Sequence, residues 1–91
     1  MDEVRKAVTF EELLAGLAEE CGELTQAALK LRRVYVSNNP TPVSENEANE
    51  RLHEEIADVL LYVRMLDVNR VYIEDIITKK EERWKKRLGI V

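Results

Sequence analysis

Ninety-one residues make one domain with a modest core, and at this size oligomerisation is a common supplement. The composition is 45% hydrophobic, 35% charged and 5% aromatic, with three glycines and two prolines, which fits a helical bundle and excludes a sandwich or barrel. A net charge of −4 argues against a general nucleic-acid-binding surface, while acids that hold a metal can still create a local phosphate site.

The chain opens on "MDEVRKAV", a charged stretch without the apolar segment of a secretory signal. Residues 2–8 form a short extra helix or fray. No apolar run approaches the roughly 18 residues that span a membrane, so the expected location is the cytoplasm and no membrane partner is expected. Thr9 to Glu12 has the pattern of a capping box, with Thr9 as N-cap. From there "FEELLAGLAEECGELTQAALKLRRVYV" keeps helical periodicity. "SNNPTP", Ser37 to Pro42, ends it, because proline cannot continue the backbone ladder. A second capping box at Ser44 and Glu47 starts "ENEANERLHEEIADVLLYVRML". A break is expected at Asp67 to Asn69. "YIEDIITKKEERWKKRL" makes the third long helix, closed by Gly89. The expected fold class is all-α: about three main helices, plus a possible short N-terminal one, completed by oligomerisation.

The stretch "EECGE" places three carboxylates inside the first long helix. Each helical residue advances by about 100°, so Leu13, Leu17, Leu24 and Leu31 share one face. Glu20 falls within that stripe, Glu23 borders it and Glu19 lies further out. A lone ionised acid buried there costs several kcal/mol unless it meets a metal, a base or a proton. The second long helix repeats the arrangement. Leu52, Ile56, Val59, Leu60, Val63 and Leu66 form its apolar face, with Glu55 and Asp58 along the edge and Tyr62 continuing the row. Side chains at i and i+3 point to one side of a helix. Antiparallel packing can therefore aim Glu20, Glu23, Glu55 and Asp58 at one point. Four mutually repelling anions are tolerable around cations, and all-oxygen ligation favours Mg²⁺ or Mn²⁺. The plainer account is an acidic, solvated face with helix–helix salt bridges. Two i, i+3 pairs that each border an apolar stripe argue against it.

The third helix carries the opposite sign. Ile73, Ile77, Trp84 and Leu88 form its stripe; Lys80 falls on it, and Arg83 and Arg87 flank it. Such side chains either snorkel to water over an apolar surface or hold phosphate oxygens beside the metal. Lys30, on the Glu23 side of the first helix, has the same two readings. On the back of that helix, Ala15, Ala18, Gly22 and Thr25 recur at 3, 4, 3 spacing, with Leu29 continuing the row. Small residues in a row let another helix approach closely. Interior glycine costs about 1 kcal/mol relative to alanine, so the row implies a packing role and a subunit interface.

With these features in place, the chain resembles the all-α nucleoside triphosphate pyrophosphohydrolases of the MazG-like superfamily. The resemblance rests on "EECGEL" and "EEIADVLLYV", an E-x-x-E helix followed by an E-x-x-D helix, together with "AALKLRR" and the closing "KKEERWKKR". It runs over residues of about 9 to 88. It implies Mg²⁺-dependent hydrolysis of a nucleoside triphosphate to the monophosphate and pyrophosphate. Carried over residue by residue, Glu20, Glu23, Glu55 and Asp58 are metal ligands, Glu19 or Glu54 orients the attacking water as general base or binds an outer metal, and Lys80 and Arg83 hold phosphates. Lys30 joins them as a substrate-binding candidate. The resemblance also implies a homodimer or homotetramer. The interval between Glu23 and Glu55 is longer than in many members, which suggests that "SNNPTPVSENEAN" lies over the site.

Three rival readings stand beside this one. A helical interaction module uses the same apolar stripes but has no use for Glu20 among leucines. A phosphoribosyl-ATP pyrophosphohydrolase-like enzyme shares the acid logic and differs in the base and ribose pocket. A di-iron carboxylate bundle wants two Glu-x-x-His motifs, whereas His53 is the sole histidine. Cys21 is the sole cysteine, which excludes an intrachain disulfide and a zinc-finger pattern.

Overall fold

The computed structural model describes residues 2–36 and 43–90. Four α-helices follow one another: α1 (Asp2–Ala7), α2 (Phe10–Val34), α3 (Glu45–Met65) and α4 (Arg70–Arg87). Among the described residues there is no strand, and the fold is all-α as expected. Of the stretch expected to lie over the site, residues 37–49, positions 37–42 lie outside the described residues and 45–49 are the start of α3.

The helix starts follow local chemistry. The Glu12 amide donates to Thr9 Oγ1 at 3.1 Å, and the Thr9 hydroxyl donates to Glu12 Oε1 at 3.1 Å. The Glu47 amide donates to Ser44 Oγ at 3.1 Å. The bonds from the Glu12 and Glu47 amides each satisfy one of the amides that a first helical turn leaves unpaired. Asn69 caps α4 by accepting from the Tyr72 amide at 3.0 Å, so this helix begins two residues earlier than its periodicity suggests. The preceding turn has Asp67 in the left-handed region (φ 55°), a conformation that aspartate tolerates better than most residues. At the far end Gly89 takes φ 72°, the Ile90 amide donates to Lys85 O (2.8 Å) and the Gly89 amide to Lys86 O (3.2 Å). That pair of bonds is a Schellman C-terminus.

α2 and α3 form the one extensive helix–helix interface among the described residues. They run antiparallel: Gly16 meets Tyr62 near one end, Glu20 lies with Glu55 and Asp58 in the middle, and the Tyr35 hydroxyl donates to Glu45 Oε1 at 2.6 Å near the other. Leu13, Gly16, Ala27, Ala48, Glu55 and Met65 are buried between and beside them. Leu17, Leu24 and Leu31 of the expected stripe are half-buried. α1 is tied to the last turn of α3, where Arg5 Nη2 donates to Arg64 O at 2.6 Å and lies 3.8 Å from Asp67.

α4 has no buried residue. Val71, Ile77, Trp84 and Leu88 are exposed, as are Ile56, Leu60 and Leu61 on α3 and the Ala15, Ala18, Gly22, Thr25, Leu29 row on α2. The Cα radius of gyration is 16.9 Å, against about 12 Å for a compact chain of this length. A single chain thus leaves several apolar faces uncovered. No helix among the described residues is long and apolar enough to cross a membrane.

Candidate metal centre

The mid-section of the α2–α3 pair brings carboxylates from both helices together. One oxygen from each of Glu20, Glu55 and Asp58 lies within 4.8 Å of the others. Glu55 and Asp58 share a side of α3 because they are three residues apart, and Glu20 faces them across the interface. The sequence places Glu20 on the dry face. The structure instead buries Glu55, which is 3% exposed, and leaves Glu20 half-buried and Asp58 exposed. The rotation of each helix about its own axis, fixed by side-chain packing, decides which acid goes deepest.

Two observations show what this cluster lacks. Glu55 Oε2 is buried and has no hydrogen-bond partner among the described residues. A buried carboxylate oxygen in that state is costly. The Glu20 carboxyl is pushed above its ordinary range, first by desolvation and then by repulsion from Asp58, Glu55, Glu19 and Glu23. Neither Glu20 nor Asp58 makes an ion pair with a described residue. Three converging carboxylates, one of which keeps a buried oxygen without a partner, match the donor set of a hard divalent cation.

Glu23 is not one of the three. Its Oε2 lies 3.7 Å from Arg51 Nη2, which also approaches Glu55 Oε1 at 2.9 Å, while Arg51 Nη1 lies 3.8 Å from Glu54 Oε2. Arg51 therefore links Glu23, Glu54 and Glu55 at the edge of the cluster. The sequence reading missed it. The signal was the i, i+4 spacing from Arg51 to Glu55, a standard helical ion-pair interval. Glu19 and Glu54 are exposed on the two helices. Lys30 lines a cleft with Glu23, Gln26, Ala27 and Arg51. Lys80 and Arg83 line a separate hollow on α4 with Trp84 and Arg87, whose guanidinium carbon sits 5.8 Å from the Trp84 ring centroid. Within one chain Lys30 shares its cleft with Glu23 and Arg51, and the α4 cations form a second group. His53 is exposed, with Nδ1 2.7 Å from Asn49 O, away from the acids.

The MazG nucleotide pyrophosphohydrolase domain matches residues 8–88, which include Glu20, Glu23, Glu55, Asp58 and the basic α4. The chain belongs to that family. No curated protein and no solved structure matches it significantly. In this chain an E-x-x-E helix faces an E-x-x-D helix, and Glu20, Glu55 and Asp58 are the members of those motifs that converge.

Proposed function

We propose that this MazG domain hydrolyses a ribo- or deoxyribonucleoside triphosphate to the monophosphate and pyrophosphate, using Mg²⁺ or Mn²⁺ held by Glu20, Glu55 and Asp58, with Glu23 completing the set. The observation that carries the proposal is the convergence of three carboxylates from two helices, one of them the buried Glu55 with an oxygen that has no partner. A helical interaction module has no use for that oxygen. When bound, a divalent ion supplies neutralisation of the triphosphate, polarisation of the phosphoryl group under attack and a more acidic water. The remaining work belongs to the chain. Glu19 or Glu54, each exposed beside a ligand acid, orients the attacking water and accepts its proton. Lys30 holds phosphate oxygens from the adjacent cleft. Lys80 and Arg83 serve the same chain of phosphates from α4.

The reading includes a homodimer or homotetramer. Support comes from the uncovered apolar residues of α3 and α4 and the large radius of gyration. The test of the activity is a panel of ribo- and deoxyribonucleoside triphosphates with Mg²⁺, scored by pyrophosphate release. Pyrophosphate from at least one substrate, abolished by Glu55→Gln and Asp58→Asn, is the expected result. Release that is unchanged in both variants would overturn it.

A further inference from the structure

Arg51 is the one described basic residue within ion-pair distance of any acid in or beside the cluster. Its guanidinium stands 2.9 Å from Glu55 Oε1 while the other oxygen of Glu55 has no partner. Glu55 thus has half of its charge answered by protein and half left open. The Arg51 side chain is 53% exposed, so it can leave the carboxylate for water at little desolvation cost. It also lines the cleft with Lys30 and Gln26, which has a volume of about 100 Å³. That is too small for a nucleoside, since drug-sized ligands occupy roughly 300 Å³ or more. Glu23 lines the same cleft, and once a metal neutralises that carboxylate the two cations and the amide are suited to phosphate oxygens.

We propose that Arg51 is an exchangeable counter-cation: it neutralises Glu55 and Glu23 while the acids hold no metal, and turns to the terminal phosphates with Lys30 once a divalent ion takes over that charge. The inference rests on the metal-site reading above and names a phosphate-binding residue that this reading does not require. Charge conservation within the cleft gives the coupling. A divalent ion at Glu55 removes the electrostatic reason for Arg51 to stay, and a guanidinium next to a dication is repelled. The incoming phosphate chain then offers a bidentate anion within the same cleft. Arg51 would in this way keep the empty site from self-repulsion and bind anions only after metal has arrived.

The experiment uses two probes, Mn²⁺ alone and inorganic pyrophosphate in the presence of saturating Mn²⁺, both followed by calorimetry on the full chain. Arg51→Gln is expected to bind Mn²⁺ about fivefold more tightly than the wild type, the size of one half-exposed ion pair, and to bind pyrophosphate more weakly. Arg51→Lys, which keeps the charge and the fold, is expected to restore Mn²⁺ affinity to the wild-type level and to recover pyrophosphate binding in part. The Arg51 Nε–Hε resonance in the wild type should shift on Mg²⁺ addition and again on pyrophosphate. A fixed structural salt bridge gives no second shift and leaves pyrophosphate affinity unchanged in Arg51→Gln. Either result overturns the exchange. A wild type that binds no Mn²⁺ overturns the metal site and the exchange together, whereas normal Mn²⁺ binding with unaltered variants overturns the exchange alone.

Discussion

Tyr62 of α3 lies over Gly16 of α2 so closely that a β-carbon at position 16 would overlap the ring. Gly16 sits one turn before Glu20, and Tyr62 one turn after Asp58. The contact therefore sets the helix separation right beside the carboxylates. Gly16→Ala forces the Tyr62 ring aside and is expected to cost about 1–3 kcal/mol through overpacking, despite alanine's better helix propensity. In a Tyr62→Ala background the same change should be neutral or stabilising by about 1 kcal/mol. Chemical denaturation of the four-member cycle checks both signs. Equal effects of Gly16→Ala in the two backgrounds would show that the ring does not set the spacing.

Glu20 offers a sharper separation of metal site from salt bridge. Its carboxyl titrates above the ordinary value of 4.5, because of desolvation and then four neighbouring acids. A folded value raised above the unfolded one means that protonation favours the fold. Stability from this group is present below about 4.5 and is lost as pH rises through the raised folded value. With chelator present, Glu20→Gln should therefore match the wild type in acid and become relatively more stable as pH climbs through that window. No cation is stranded by the change, because Glu20 has no ion-pair partner among the described residues. With metal restored, the same variant should lose about 100-fold or more in hydrolysis, given that removing a group which merely orients a metal ligand already costs about 10- to 100-fold. Thermal melts across pH with chelator, and pyrophosphate release with Mg²⁺, measure the two halves. Strong destabilisation of the metal-free protein with normal turnover would reverse the assignment.

The features legible in the sequence are those fixed within one or two helical turns. Thr9, Ser44 and Gly89 mark helix ends by local bonds, and the structure places each of them there. The i, i+3 acids are similarly local, so Glu55 and Asp58 were recognisable as a pair. Relations between helices are different. That Glu55 goes deeper than Glu20, that Arg51 reaches back across to Glu23, and that Gly16 rather than Gly22 touches a partner all depend on helix rotation and crossing. Periodicity defines an apolar stripe to within a residue or so, and that is the margin separating a buried acid from a half-buried one. Gly16 did carry a signal, being spaced i+3 from Leu13 and i−4 from Glu20 on the inward face.

Gly22 tests the outward face of α2. A β-carbon there meets nothing within 4 Å in the single chain. On that basis alone, Gly22→Leu should raise helix stability by somewhat under 1 kcal/mol. A second helix against Ala15, Ala18, Gly22 and Thr25 reverses the sign, because a large side chain holds it away. Gly22→Leu and Ala18→Leu are thus expected to weaken assembly and lower the melting temperature together. Sedimentation velocity over a range of concentrations, combined with melts at the same concentrations, reads this out. Variants that assemble normally and melt higher would leave the row as plain solvent-facing surface.

The sole tryptophan provides a direct probe of what covers α4. Trp84 is 59% exposed in the single chain, and Ile77, two turns earlier on the same stripe, is 47% exposed. If a second copy covers this stripe, the assembled protein should show the blue-shifted emission of a sheltered indole. Dilution should move the emission toward that of an exposed indole in step with dissociation, and the melting temperature should rise with concentration, as mass action requires. Ile77→Asp removes an apolar contact worth about 1.5–3 kcal/mol when fully buried and adds a charge, so it should shift the emission red at micromolar concentration. The effect should be far smaller if Ile77 faces water in solution, since exposed substitutions rarely exceed about 0.5 kcal/mol. A folded monomer with red-shifted emission at every concentration, indifferent to Ile77→Asp, would contradict assembly through α4.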